Sequence, residues 1–205
     1  MNPVTCVARV AGNPVSINDI DEREATLRAG NLASALPRPG TSEGRQLRRW
    51  LTQLVVAERV VAAEAAQRGL SGAGAPSEDE VLPDTAARLE IGSIAAATLA
   101  TPTARAAFAD VTAAVDVSDS EVTAYHARNP LRFAAQLAGP NGWHARPVAP
   151  PLDEVRDRIT AHLRASARRR AFRQWLDARC GVLVELAPGY EHPGDPRQPD
   201  NTHKH

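Results

Sequence analysis

Aromatic residues are scarce in this 205-residue chain: tryptophan, tyrosine and phenylalanine together make up 4% of it. A core without large rings must be built from small aliphatic side chains, which favours closely approaching helices over a broad sandwich of sheets. Net charge is also missing, since 24 basic residues balance 24 acidic ones. That neutrality argues against nucleic acid or an anionic membrane as the main partner, because both select basic surfaces. No apolar run approaches the roughly 20 residues needed to cross a bilayer. The first ten residues lack the basic region and unbroken apolar stretch of a secretory signal, with Arg9 interrupting them. A cytoplasmic setting is therefore expected. Two cysteines, Cys6 and Cys180, do not make a disulfide framework and are expected to be buried free thiols. They would be neighbours if the β-like runs beside them pair.

What is present is mostly helical pattern. Residues 4–10 form a short β-rich run, followed by a turn signal at Gly12-Asn13-Pro14. Ser16 and Asp19 then open a helix with Ile20, Ala25 and Leu27 as its apolar face. The strongest helix spans 43–68, where Leu47, Trp50, Leu51, Leu54, Val55, Val61 and Ala65 form a stripe ended by Gly69. Ser77 and Glu80 make a capping box that Pro83 interrupts, and alanine-rich helices are expected over 84–99 and 101–115. Ser118 and Glu121 cap a short helix that stops at Asn129-Pro130. Residues 134–150 contain Gly139, Pro140, Gly142 and two further prolines and read as loop, with Trp143 as a plug over the helical core. A long amphipathic helix over 152–179 is anchored by Val155, Ile159, Leu163, Phe172, Trp175 and Leu176, and a second β-like run covers 181–186.

One β-run at each end with only helices between has a consequence. Neither run can satisfy its backbone groups alone, so the two are expected to pair and bring the ends together. The sequence thus predicts a mainly α domain over 1–186, with a short two-stranded antiparallel sheet made by the N- and C-terminal segments. Residues 187–205 form a tail rich in proline and histidine.

The order of these weak motifs resembles the N-terminal chaperone domain of SurA-type and PrsA-type foldases. The opening strand, turn and first helix are carried by 7–21, the long second helix by 47–70, and the closing helix by 159–178. Residues 117–133 resemble the approach to a parvulin-type isomerase domain, and 151–159 the helix that follows one. Only 17 residues separate Phe133 from Pro151, too few to hold that domain. The resemblance implies a SurA-like helical domain with a loop at 134–150 in place of the isomerase. It implies a non-catalytic role, holding unfolded polypeptide or a specific protein partner.

Two other constellations bear on chemistry. Gly40-Thr41-Ser42-Glu43-Gly44 matches the G-x-S-x-G spacing of a serine nucleophile elbow. It is similar to the motif of malonyl-CoA:acyl-carrier-protein transacylases, with Thr41 where they have histidine; Ser42 would be the nucleophile and His144 or His126 the base. Pro37 and Pro39 suit a central strand poorly, and the alternative is that Thr41 or Ser42 caps the long helix. In the tail, His192, His203 and His205, with Asp195 and Asp200, are candidate ligands for Zn²⁺, against a polar terminus with scattered histidines. No other cofactor is expected. Arg164, Arg168, Arg169, Arg170 and Arg173 form a basic stretch on the closing helix. It would suit an acidic partner or a phosphate-bearing cofactor such as coenzyme A, but reads first as a solvated helix face.

Overall fold

The structure, a computed structural model, describes residues 6–31, 33–134, 148–188 and 190. Strand β1 (Cys6–Val10) and strand β2 (Asn13–Ser16) form a hairpin, with Val10 paired to Asn13 across a two-residue turn. Ala11 (φ +48°) and Gly12 (φ +79°) occupy that turn, both in the left-handed region that such tight hairpins require. The turn therefore falls one residue earlier than the sequence suggested, which frees Asn13 and Pro14 to form a strand. Pro14 is tolerated because β2 lies at a sheet edge. Strand β3 (Val184–Leu186) pairs antiparallel with the other side of β1, through Ala8↔Leu186 and Val10↔Val184. The first and last β-runs do meet, in a three-stranded sheet ordered β2-β1-β3 rather than a two-stranded one.

Helix α1 (Ile17–Arg28) starts at a full capping box between Ser16 and Asp19. Helix α2 (Ser42–Gln67) is the central element, about 39 Å long at 1.5 Å per residue. It packs against α1, β1 and three of the later helices. Its buried face, including Leu51, Val56, Val60 and Val61, is wider than the predicted stripe and also takes in Thr52 and Glu64, whereas Leu47 and Trp50 are only half-buried.

Short helices follow: α3 (Glu78–Val81), α4 (Thr85–Ile91), α5 (Ser93–Thr98) and α6 (Pro102–Val111). The single helix expected over 84–99 is broken at Gly92, whose φ of +91° a helix interior does not accommodate. Helix α7 (Asp119–Arg128) and helix α8 (Leu152–Leu183) complete the fold. α8 continues through Cys180 to Leu183, so only three residues of the second β-like run become strand.

The helical domain has two apolar centres. In the main core, Phe108, Phe172 and Trp175 stack in sequence with centroids 5.4 Å apart at each step, among the aliphatic side chains of α2, α5 and the sheet. A separate small core joins Val122 of α7 to Val155 and Ile159 of α8, edged by Tyr125, Phe133 and Leu163. One helix serves both, because the first half of α8 seats α7 and its second half closes the main core. Among the described residues, no helix is long and apolar enough to cross a membrane.

Candidate functional site

The G-x-S-x-G segment builds a helix start. Thr41 is extended (φ −81°, ψ 168°) and caps α2, its Oγ1 accepting from Gly44 N at 3.0 Å and donating to the Arg38 carbonyl at 2.8 Å. Ser42 is the first helical residue. Gly40 supplies a left-handed φ of +81°, while Gly44 is required by space, since a Cβ there would collide with the Arg38 carbonyl oxygen. The chain before the motif is a single 3₁₀ turn (Ala33–Ala35) and a loop, with no strand over residues 36–41. Ser42 also lacks the strained backbone of an elbow; Ala11 is the one non-glycine with positive φ among the described residues. Of the two candidate bases, His126 lies on α7 with Nε2 2.9 Å from the Pro150 carbonyl, and His144 lies outside the described residues.

His192, His203 and His205 also lie outside the described residues, as does Trp143. Among the described residues no group of histidine, cysteine and carboxylate side chains is arranged to hold a metal ion. Cys6 and Cys180 are free and half-buried. Burial, with a smaller push from Asp177, raises the Cys180 thiol to about 11, so it is held as an unreactive thiol at neutral pH.

The arginine run on α8 turns out to be largely an internal fastening. Arg169 is buried, and its guanidinium meets Glu90 of α4 at 2.8 Å. Arg170 adds a second contact to Glu90 at 3.2 Å. Arg168 donates to Thr112 Oγ1 and lies 5.1 Å from the Phe108 ring centre, while Arg164 pairs with Asp116. Arg173 faces Asp177 at 3.9 Å. Helical spacing accounts only for the Arg173–Asp177 pair; the other partners come from α4, from α6 and from the segment that follows it.

An apolar groove of about 420 Å³ lies along α2 between α1 and the α5–α6 turn. Val55, Val61 and Ala62 of α2 line one side, and Ala100, Thr101 and Ala104 the other. Arg23, Glu58 and Arg59 add a charged margin. Burial pushes the Glu58 carboxyl above its usual 4.5, a shift that the paired Arg23 guanidinium opposes. Arg59 is held by the Pro14 carbonyl at 2.9 Å and by Asp19 at 2.7 Å. The margin is thus built from pairs already formed, and the bed between them is made of valine, alanine and threonine. Such a site offers shape and apolar contact. Its walls come from three separate stretches of chain, so no contiguous motif announced it.

A second cleft of about 400 Å³ opens between α2, α5 and α8, where Gln53, Ser93, Arg173 and Asp177 make the lining more polar.

A family model described as "Family of unknown function (DUF7158)" matches residues 6–43. The match takes in the hairpin, α1 and the capped start of α2. No curated protein matches the chain, and no solved structure does.

Proposed function

We propose that this protein binds exposed apolar segments of other polypeptides without acting on them chemically, as a chaperone-like or scaffold protein with no prolyl isomerase activity. The observation that carries the reading is the apolar groove beside α2. Its small lining residues leave room for the side chains of an extended segment. Each aliphatic side chain taken from water contributes about 1.5–3 kcal/mol. One or two of them, set against the cost of ordering the bound segment, give weak and reversible attachment. The SurA-like order of elements supports the same reading, with β1 and β3 joining the ends while α7 and α8 flank the short connection at 134–150. The partner would be an unfolded polypeptide or a specific protein, with neither nucleic acid nor membrane involved. A cytoplasmic setting belongs to the proposal, and two free cysteines suit a reducing compartment.

The test is suppression of aggregation of a heat-unfolded client at micromolar concentrations. Ala62 and Ala100 are exposed at the groove, so Ala62→Trp and Ala100→Trp fill it without disturbing the core. Both variants are expected to lose protection while keeping the wild-type circular dichroism spectrum, and Ser42→Ala is expected to protect fully. Failure of the wild type to protect, or undiminished protection by both filled variants, would overturn the reading.

A further inference from the structure

His162 sits on α8 where α7 and the turn after it come down onto that helix. Its ring centre is 5.4 Å from that of Tyr125 on α7 and 6.0 Å from that of Phe133 in the turn. With Arg132 of the turn and Ser166 and Arg169 of α8, it lines one cleft of about 440 Å³, closed on the other side by Asp84 and Glu90 of α4. Arg158, one helical turn earlier, lies 4.9 Å from the Phe133 ring centre and donates to the Phe133 carbonyl at 3.3 Å. The histidine therefore packs as part of an aromatic seat, with three guanidinium groups around that seat.

We propose that α7 and the turn following it form a pH-sensitive flap, held on α8 while His162 is neutral and released when it gains a proton. A proton on the ring would place a fourth cation in a half-buried setting. The opposing charges are already engaged: Glu90 accepts from Ser166, Arg169 and Arg170, and Asp84 accepts from Ala87 N as the cap of α4. Of the two rings there that could attract a cation, Tyr125 and Phe133, the latter is already occupied by Arg158. Burial first, and then Arg132 and Arg169, hold the His162 ring below its usual 6.5, with Glu90 and Asp84 acting weakly the other way.

A histidine whose folded-state value is depressed supports the folded arrangement above the unfolded value and withdraws that support as pH falls below it. Release would uncover the small apolar core around Val122, Val155 and Ile159. The main core would stay closed, because Phe172 and Leu176 lie farther along α8. His126 stands apart from this cluster, on α7 with its Nε2 2.9 Å from the Pro150 carbonyl.

Hydrogen exchange of the full chain, corrected for the intrinsic pH dependence of exchange, tests the flap at about pH 7.5 and about pH 5. Amides of α7 are expected to exchange several-fold faster at the lower pH while those of α2 stay protected. His162→Gln is expected to abolish the difference and His126→Gln to preserve it. Arg132→Gln removes one of the repelling cations from the surface and is expected to reduce the difference; it carries the test if His162→Gln does not fold. Equal protection of α7 at both pH values, an undiminished response in His162→Gln or in Arg132→Gln, loss of the response in His126→Gln, or parallel loosening of α2 would each overturn the proposal.

Discussion

Arg179 of α8 reaches across to the buried carboxylate of Glu64 on α2, 115 positions away in the chain. Arg68 holds the other oxygen of the same carboxylate at 3.2 Å and also pairs with Asp110 at 2.8 Å. One buried acid thus joins the central helix to the closing helix, at a depth where an unpaired carboxylate would be costly. Glu64→Ala leaves the two arginines without their shared anion and makes a small void. We expect it to lower stability by about 2–3 kcal/mol, less than a fully buried pair because both guanidinium groups are about one-third exposed. Arg179→Ala, with Arg68 still in place, should cost about half as much. Urea denaturation of the two variants checks the ordering.

The hairpin turn offers a gain in stability. Ala11 is held at φ +48° between strands that pair on both sides, a conformation that disfavours residues bearing a Cβ but that asparagine accepts more readily. Ala11→Asn is expected to stabilise the protein by about 0.5–1 kcal/mol. The denaturation midpoint should rise without a change in slope.

At the start of α2, the three residues of the motif should respond differently. Thr41→Ala removes the cap bond to Gly44 N and should cost about 1 kcal/mol. Gly44→Ala drives a methyl group into the Arg38 carbonyl and should cost about 2 kcal/mol or more, unless the 36–40 loop is displaced. Ser42→Ala should be the mildest of the three. A thermal denaturation series gives the order, and Ser42 as the most sensitive position would contradict the helix-start role.

The arginine run on α8 divides by burial. Arg169→Ala takes from Glu90 its buried partner, leaving Ser166 and Arg170, and opens a gap beneath α4, so a loss of about 2–3 kcal/mol is expected. Arg164→Ala breaks an exposed pair with Asp116 and should leave the unfolding midpoint unchanged. Equal effects at both positions would mean that the run is not the fastening described.

Acid should weaken the α1–α2 contact. Burial raises the Glu24 carboxyl, but hydrogen bonds and charge from Arg28 and Arg48 outweigh it and leave the group below its usual 4.5. Asp19 follows the same pattern, with burial opposed by Ser16 and Arg59. A carboxyl depressed in the folded state adds stability above its unfolded value, and that contribution disappears as pH falls through the folded one. Stability should therefore decline below about pH 4.5. The decline should be shallower in Glu24→Gln, as read from urea midpoints across that range.

Local chemistry made much of the fold legible. Ser16, Ser77 and Ser118 each cap the helix the sequence assigned to them, and of the two candidates at α2 it is Thr41 that caps, because a cap is decided within four residues. The pairing of the terminal strands was legible as well, since an isolated strand leaves backbone groups unsatisfied. The break at Gly92 and the strand containing Pro14 escaped pattern reading. Each depends on a backbone conformation, a left-handed glycine or a turn shifted by one residue, that neighbouring packing selects.

The sequence by itself determined a neutral, alanine-rich helical chain with capped starts and two ends that had to meet. Tertiary structure decided what its charges and small residues are for. Arg169 and Glu64 became internal fastenings because Glu90 and Arg179 lie 79 and 115 positions away from them, beyond the reach of any helical period. The groove formed because Ala62, Ala100 and Ala104, small residues from two separate stretches, came to line one concavity beside α2. Helix caps depend on adjacent residues, whereas concave surfaces and buried ion pairs depend on which distant elements the core draws together.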